Sequence, residues 1–264
     1  WDAGSVILAC TADIKAPDLQ DICSSWIGCF PEFPGRLSLY AGNGGLLFGL
    51  LHAARRLQEL RPLYDRIQRQ VIQVSRDIKW NRPASDWQDY DLVTGPSGFL
   101  LASLADPELS PDDVFPVVDH LKKLLETTDM AGFRLAGAKD DSLRAWNNGQ
   151  INLGLAHGVP GVIAALAAYI RRFPDTPDIA PVLERSLDWL TSQSHLDENG
   201  LITWAPAAGQ GGKNLLPASR REAGIGLVTN LLKLVIGRFT KKAIRHGVVF
   251  NGGIPSKLGV AAFG

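Results

Sequence analysis

Cysteine is scarce in this chain and poorly placed for most of its chemistries. Three occur in 264 residues, Cys10, Cys23 and Cys29, all near the start. An odd number argues against a disulfide framework and suits a reducing cytosol. The spacings match no paired C-x-x-C zinc pattern. An excess of charge is missing too, because 27 Lys+Arg balance 27 Asp+Glu. With no basic stripe and no acidic tail, the sequence gives no reason to expect a nucleic-acid partner or a disordered solvating role. Long apolar runs are lacking as well. The longest uncharged stretch, residues 145–170, is broken by Asn147, Asn148, Gly149, Gln150, Asn152, His157 and Pro160. Its continuous apolar part is too short to cross a bilayer, so no membrane span is expected and the expected location is cytoplasmic. Strand-like alternation is rare. The chain opens on Trp1, its only methionine is Met130, and no basic-then-apolar leader is visible; a fragment of a longer protein is expected.

What is present is glycine in a pattern. Leu39-Tyr40-Ala41-Gly42-Asn43-Gly44-Gly45, Asp91-Leu92-Val93-Thr94-Gly95-Pro96-Ser97-Gly98 and Asn152-Leu153-Gly154-Leu155-Ala156-His157-Gly158-Val159-Pro160-Gly161 each lead into an apolar run. Gly224 continues the series in Gly224-Ile225-Gly226. A G-x-x-G turn opening an apolar helix at intervals of this size marks a repeat architecture. Between the turns lie amphipathic patterns. Leu63, Ile67, Val71, Val74 and Ile78 recur at helical spacing, as do Val114, Val117, Val118, Leu121, Leu124 and Leu125 behind a start signal at Ser110-Pro111. Val182, Leu183, Leu187 and Leu190 form a third set after Pro181. Each repeat is therefore a pair, an inner helix apolar on most sides and an outer amphipathic one. Such pairs build an all-α fold, an α/α toroid, with every glycine turn at one end. Four turns make an incomplete ring, whose open faces predict marginal stability or association.

The turns resemble the motifs of the lanthionine synthetase cyclases, the LanC-like family. The His157 decapeptide is similar to that family's N-L-G-x-A-H-G-x-P-G signature nearly residue for residue. Asp91 to Gly98 resembles its D-x-x-x-G-x-x-G motif, and Ser219-Arg220-Arg221-Glu222-Ala223 resembles the run before its W-C-Y-G motif. The likeness covers roughly residues 35–228, which sets a toroid portion at 1–228 and a divergent tail at 229–264.

The resemblance implies an activity in lanthipeptide biosynthesis, in which a peptide cysteine thiolate adds across a dehydroalanine or dehydrobutyrine of the same peptide to close a thioether ring. It implies a precursor peptide as partner, and a dehydratase beside it. It casts His157 as the acid/base, Asp91 as the carboxylate that orients it, and Arg221 as a cation beside the developing enolate. Gly95 and Gly158 would line the substrate. The family holds zinc through the Cys of W-C-Y-G and a later Cys-His-Gly. Here Ala223 runs directly into Gly224-Ile225-Gly226, and no cysteine follows Cys29. No zinc and no other cofactor is expected, and cyclisation should be impaired. A non-catalytic peptide-binding scaffold is the alternative. A glycosidase using Asp86 and Asp89 is a third reading, since other α/α toroids cleave glycosides. Each singled-out residue also has a plain role: Asp91 as a turn cap, Arg221 as a solvated charge, His157 as a cap or packing group.

Overall fold

Prolines and close-packed glycines set where helices begin. The computed structural model describes residues 3–12, 14–29, 35–40, 42–135, 149–176, 178–196 and 202–208. Helices α1 (Ala3–Thr11) and α2 (Ala16–Gly28) come first. Then follow α3 (Asn43–Arg56), α4 (Arg61–Asp77), α5 (Pro96–Ser103), α6 (Pro111–Leu125), α7 (Val159–Arg172) and α8 (Ala180–Ser192). Proline stands in the first turn of α2, α4, α5, α6, α7 and α8, where no intrahelical donor is lost. Ser110 closes a capping box with Asp113 at the head of α6.

The helices alternate between two layers. Neighbours α1, α3, α5 and α7 touch in sequence to form the inner layer, and each packs on the helix that follows it, α2, α4, α6 or α8. Inner helices are apolar nearly all round, as expected: seven of the eight residues of α5 are buried. The outer α4 buries one stripe, Tyr64, Ile67, Val71 and Ser75. One core joins the layers, with Trp26, Leu50, Tyr90, Phe99, Leu121, Val162 and Leu183 all almost fully buried. The pair α1–α2 was not anticipated by the glycine pattern, which begins at residue 39. It enters the inner layer by a different contact: a Cβ on Gly49 would strike the indole of Trp26 at 2.7 Å. Strands are few among the described residues. β1 (Ile151–Asn152) pairs antiparallel with β4 (Ala207–Ala208), and β2 (Ser194–Leu196) pairs with β3 (Ile202–Trp204).

The glycine turns lie side by side at one end of the inner layer. A Cβ on Gly98 would meet that of Leu39 at 2.8 Å, and one on Gly161 would meet Leu92 Cγ at 2.9 Å. Each second glycine thus lets the leucine of the preceding turn sit directly on helix backbone. Within each turn the same glycine also presses on a carbonyl six residues back: Gly45 on Leu39, Gly98 on Leu92, Gly161 on Leu155. Any side chain there would collide with it. Backbone bonds tie the turns laterally, Tyr40 N–H to Val93 O at 3.2 Å and Leu92 N–H to Ala156 O at 3.0 Å.

Candidate active site

The second and third turns bring two titratable groups together. Asp91 ends the loop after α4, and His157 precedes Gly158, the residue that caps α7. The carboxylate oxygen Oδ2 of Asp91 lies 2.5 Å from His157 Nδ1. Asp91 is fully buried, while the imidazole side chain is 34% exposed. A buried carboxylate needs donors. Thr94 supplies two, its backbone N–H at 2.6 Å and its hydroxyl at 3.2 Å, so Asp91 also caps its own turn. The turn-capping role of Asp91 and its contact with His157 therefore coexist. With the carboxylate accepting from Nδ1–H, the other ring nitrogen, Nε2, carries the free lone pair.

The loop of residues 81–91 grips His157 in two further places. Trp87 stacks on the imidazole, with ring centroids 4.6 Å apart and planes inclined by 18°. Tyr90 donates its hydroxyl to the backbone carbonyl of His157 at 3.3 Å. Burial pushes the Tyr90 phenol well above its ordinary range, followed by the charges of Asp91, Asp86 and Asp89, so it stays a donor. The loop is fastened internally by Asp89, whose carboxylate accepts from Ser85 N–H (2.7 Å), Ser85 Oγ (2.9 Å), Asp86 N–H (3.0 Å) and Asn81 Nδ2 (3.1 Å). Asp86 accepts from the N–H of Trp87 at 2.6 Å. Both acids of the glycosidase reading are thus engaged in capping a single helical turn, Trp87–Asp89, and Asp89 has its oxygens occupied by the loop.

Gly95 and Gly158 are the N-caps of α5 and α7, on either side of the pair. A Cβ on Gly95 would enter the Asp91 backbone, and one on Gly158 would enter the carbonyls of Asn152 and Gly154. Arg221 lies outside the described residues. Among the described residues no group of three or more His, Cys, Asp or Glu is placed to hold a metal ion, and no helix is long and apolar enough to cross a membrane.

Cys10 and Cys23, which face each other, lie away from the glycine turns that hold His157. Arg56, the last residue of α3, donates to the carbonyl of Cys10 at 2.8 Å. The glycine turn is at the other end of that 14-residue helix, ~20 Å away at 1.5 Å per residue. Cys23 is also buried, and burial, reinforced by Cys10, pushes its thiol up to about 11.

The resemblance singled out Asp91 and His157, the repeat put their turns at one end, and the structure brings the two side chains into contact. Sequence reasoning missed Trp87, Tyr90, Thr94 and His120. Thr94 had a visible signal, a hydroxyl residue three after an Asp, as in an Asx-type turn. Trp87 and His120 had none, because their contacts cross between elements.

Comparison with known proteins gives a consistent picture. A family model described as lanthionine synthetase C-like protein matches residues 15–217, reaching further upstream than the motifs alone and including α2. No curated protein matches. Among solved structures the chain is similar to nisin cyclase, with a TM-score of 0.67 and 19% identity, over 92% of this chain and 67% of that one. At that identity the likeness establishes the α/α toroid fold.

Proposed function

Because the chain belongs to the lanthionine synthetase C-like family, we propose that it is a lanthipeptide cyclase-like protein that handles a dehydrated precursor peptide in the cytoplasm. The observation that carries the reading is the Asp91–His157 contact, made between turns 66 residues apart in sequence. In this proposal Asp91 fixes the imidazole and stabilises its protonated form, as an oriented carboxylate does. His157 Nε2 takes the proton of the attacking thiol or returns one to the enolate carbon after the C–S bond forms. Arg221 adds a cation near the enolate oxygen, and Gly95 and Gly158 would border the substrate through their backbone beside the pair. A dehydratase supplies the alkene. Residues 1–228 form the working part, and 229–264 a separate tail.

The chain keeps the proton-handling half of the reaction and lacks the thiol-activating half. A free thiol with pKa near 8.5 is only a few per cent thiolate at neutral pH. Raising the pH therefore supplies by solvent what the absent ligands would have supplied. The test uses a synthetic peptide bearing one dehydroalanine and one cysteine, with remaining thiol counted by alkylation and mass. At pH 7 the protein binds the peptide with little loss of thiol. At pH 9 closure should run roughly a hundredfold faster with the wild-type chain than with His157→Ala, within the usual range for a positioned acid/base. Equal rates for the two proteins at every pH would refute the reading. One equivalent of tightly bound zinc with rapid closure at pH 7 would overturn the impairment.

A further inference from the structure

His120 on α6 is fully buried and takes no part in the chemistry above. Its ring is nonetheless held on three sides. Nε2 lies 2.6 Å from the backbone carbonyl of Asp89, Arg82 Nε donates to Nδ1 at 3.3 Å, and Trp80 stacks on the ring with centroids 4.4 Å apart. An arginine N–H cannot accept, so Nδ1 is the acceptor and Nε2–H the donor. The imidazole is therefore neutral in one tautomer. Burial agrees, pushing His120 down to about 4.

The carbonyl that His120 holds belongs to the residue between Trp87 and Asp91. The same short loop stacks on His157, bonds its carbonyl and binds its Nδ1. Asp89 fastens the loop to itself, but those bonds are all internal to residues 81–89. His120 ties the loop to the outer helix layer. Arg82 carries a second task, an ion pair with Asp119 at 3.2 Å, and Asp119 also pairs with Lys123.

We propose that His120 is a positioning residue for the Asp91–His157 pair: from α6, with its tautomer set by Arg82, it bolts down the loop that orients His157. The proposal rests on Asp91–His157 being the working pair, but its test needs no substrate. With ¹⁵N-histidine labelling, NMR reads solvent exchange of the His157 Nδ1 proton. His120→Gln should speed that exchange by about tenfold or more, on the scale of the 10–100-fold losses that follow removal of an outer partner at metal-site histidines. Arg82→Met keeps the aliphatic stem but releases the tautomer, and should act in the same direction. Asp119→Asn removes the ion pair and leaves the ring bond, and should change exchange little.

If His120→Gln does not fold, the contrast between Arg82→Met and Asp119→Asn decides alone. Lowered melting temperatures with unchanged His157 exchange would make His120 purely structural and overturn the proposal. So would an Asp119→Asn effect as large as that of Arg82→Met. A shift in exchange together with a peptide assay insensitive to His157 would leave the positioning intact and remove the cyclase reading instead.

Discussion

Replacing Gly98 by alanine adds one methyl group at the tightest point of the inner layer. That carbon would stand 2.8 Å from Leu39 Cβ and well inside contact distance of the Leu92 carbonyl oxygen. Carbon pairs rest at about 3.5–4.0 Å, so turn one must retreat by roughly 1 Å. The Leu92 peptide must shift as well, and it adjoins Asp91. Overpacking of this kind costs about 1–3 kcal/mol, against which alanine's better helix propensity returns at most about 1. Because the added carbon meets a backbone carbonyl that cannot swing aside, the cost lies near the upper figure and the net loss is about 2 kcal/mol; at about 2–4 °C per kcal/mol in a chain of this size, a fall of roughly 4–8 °C is expected. The control is the same change at Gly28, the last residue of α2, where an added Cβ meets nothing within 4 Å. There alanine should stabilise by about 0.4–1 kcal/mol. Thermal melts followed by far-ultraviolet circular dichroism compare the two. If Gly98→Ala melts at or above wild type, the glycines are not where the turns need backbone contact, and the account of the repeat fails.

Asp91→Asn should abolish the His157-dependent closure at pH 9, by about a hundredfold or more, because the amide can bind the wrong tautomer of the ring; retention of the rate would separate the carboxylate from the chemistry. His120 sets a pH dependence of stability. Folded, it stays neutral down to about 4, while the unfolded chain takes up the proton near 6.5, so its contribution is complete above pH 6.5 and is lost as pH falls through 4. In full that is about 3 kcal/mol, and urea unfolding at pH 7 and pH 4.5 should show a smaller difference in His120→Gln than in wild type. Tyr64→Phe removes a hydroxyl that donates to the buried Asp106 at 2.7 Å, leaving Gln68 as its side-chain donor. It should cost about 1–2 kcal/mol in chemical denaturation, and a neutral result would mean that water replaces the phenol.

Some of this was legible in the sequence for physical reasons. The second glycine of each turn cannot carry a side chain, so the spacing of Gly45, Gly98 and Gly161 encodes the lateral packing directly. The outer helices announced themselves by buried stripes and by starts such as Ser110-Pro111. Asp91 and His157 could be paired because the repeat places neighbouring turns side by side. The first helix pair was not legible, since α1 and α2 meet the inner layer through Ala3 and Trp26 on Gly49 and α1 lacks a turn of the same pattern. The clamp around His157 was hidden for a related reason. A stacked Trp87 and a buried His120 depend on which faces of distant elements meet, and no periodicity records that.

The carboxylate leaves the ribosome 66 residues ahead of the imidazole that meets it. Until the third turn docks, Asp91 keeps the donors of Thr94 and lacks that of His157. A nascent chain halted before residue 157 therefore leaves that carboxylate short of one donor and uncovered, and it should remain open there and accessible to proteases. Arrival of His157 closes that opening, so completion of the Asp91–His157 pair and sealing of the seam between two repeats are a single event in the maturation of the chain.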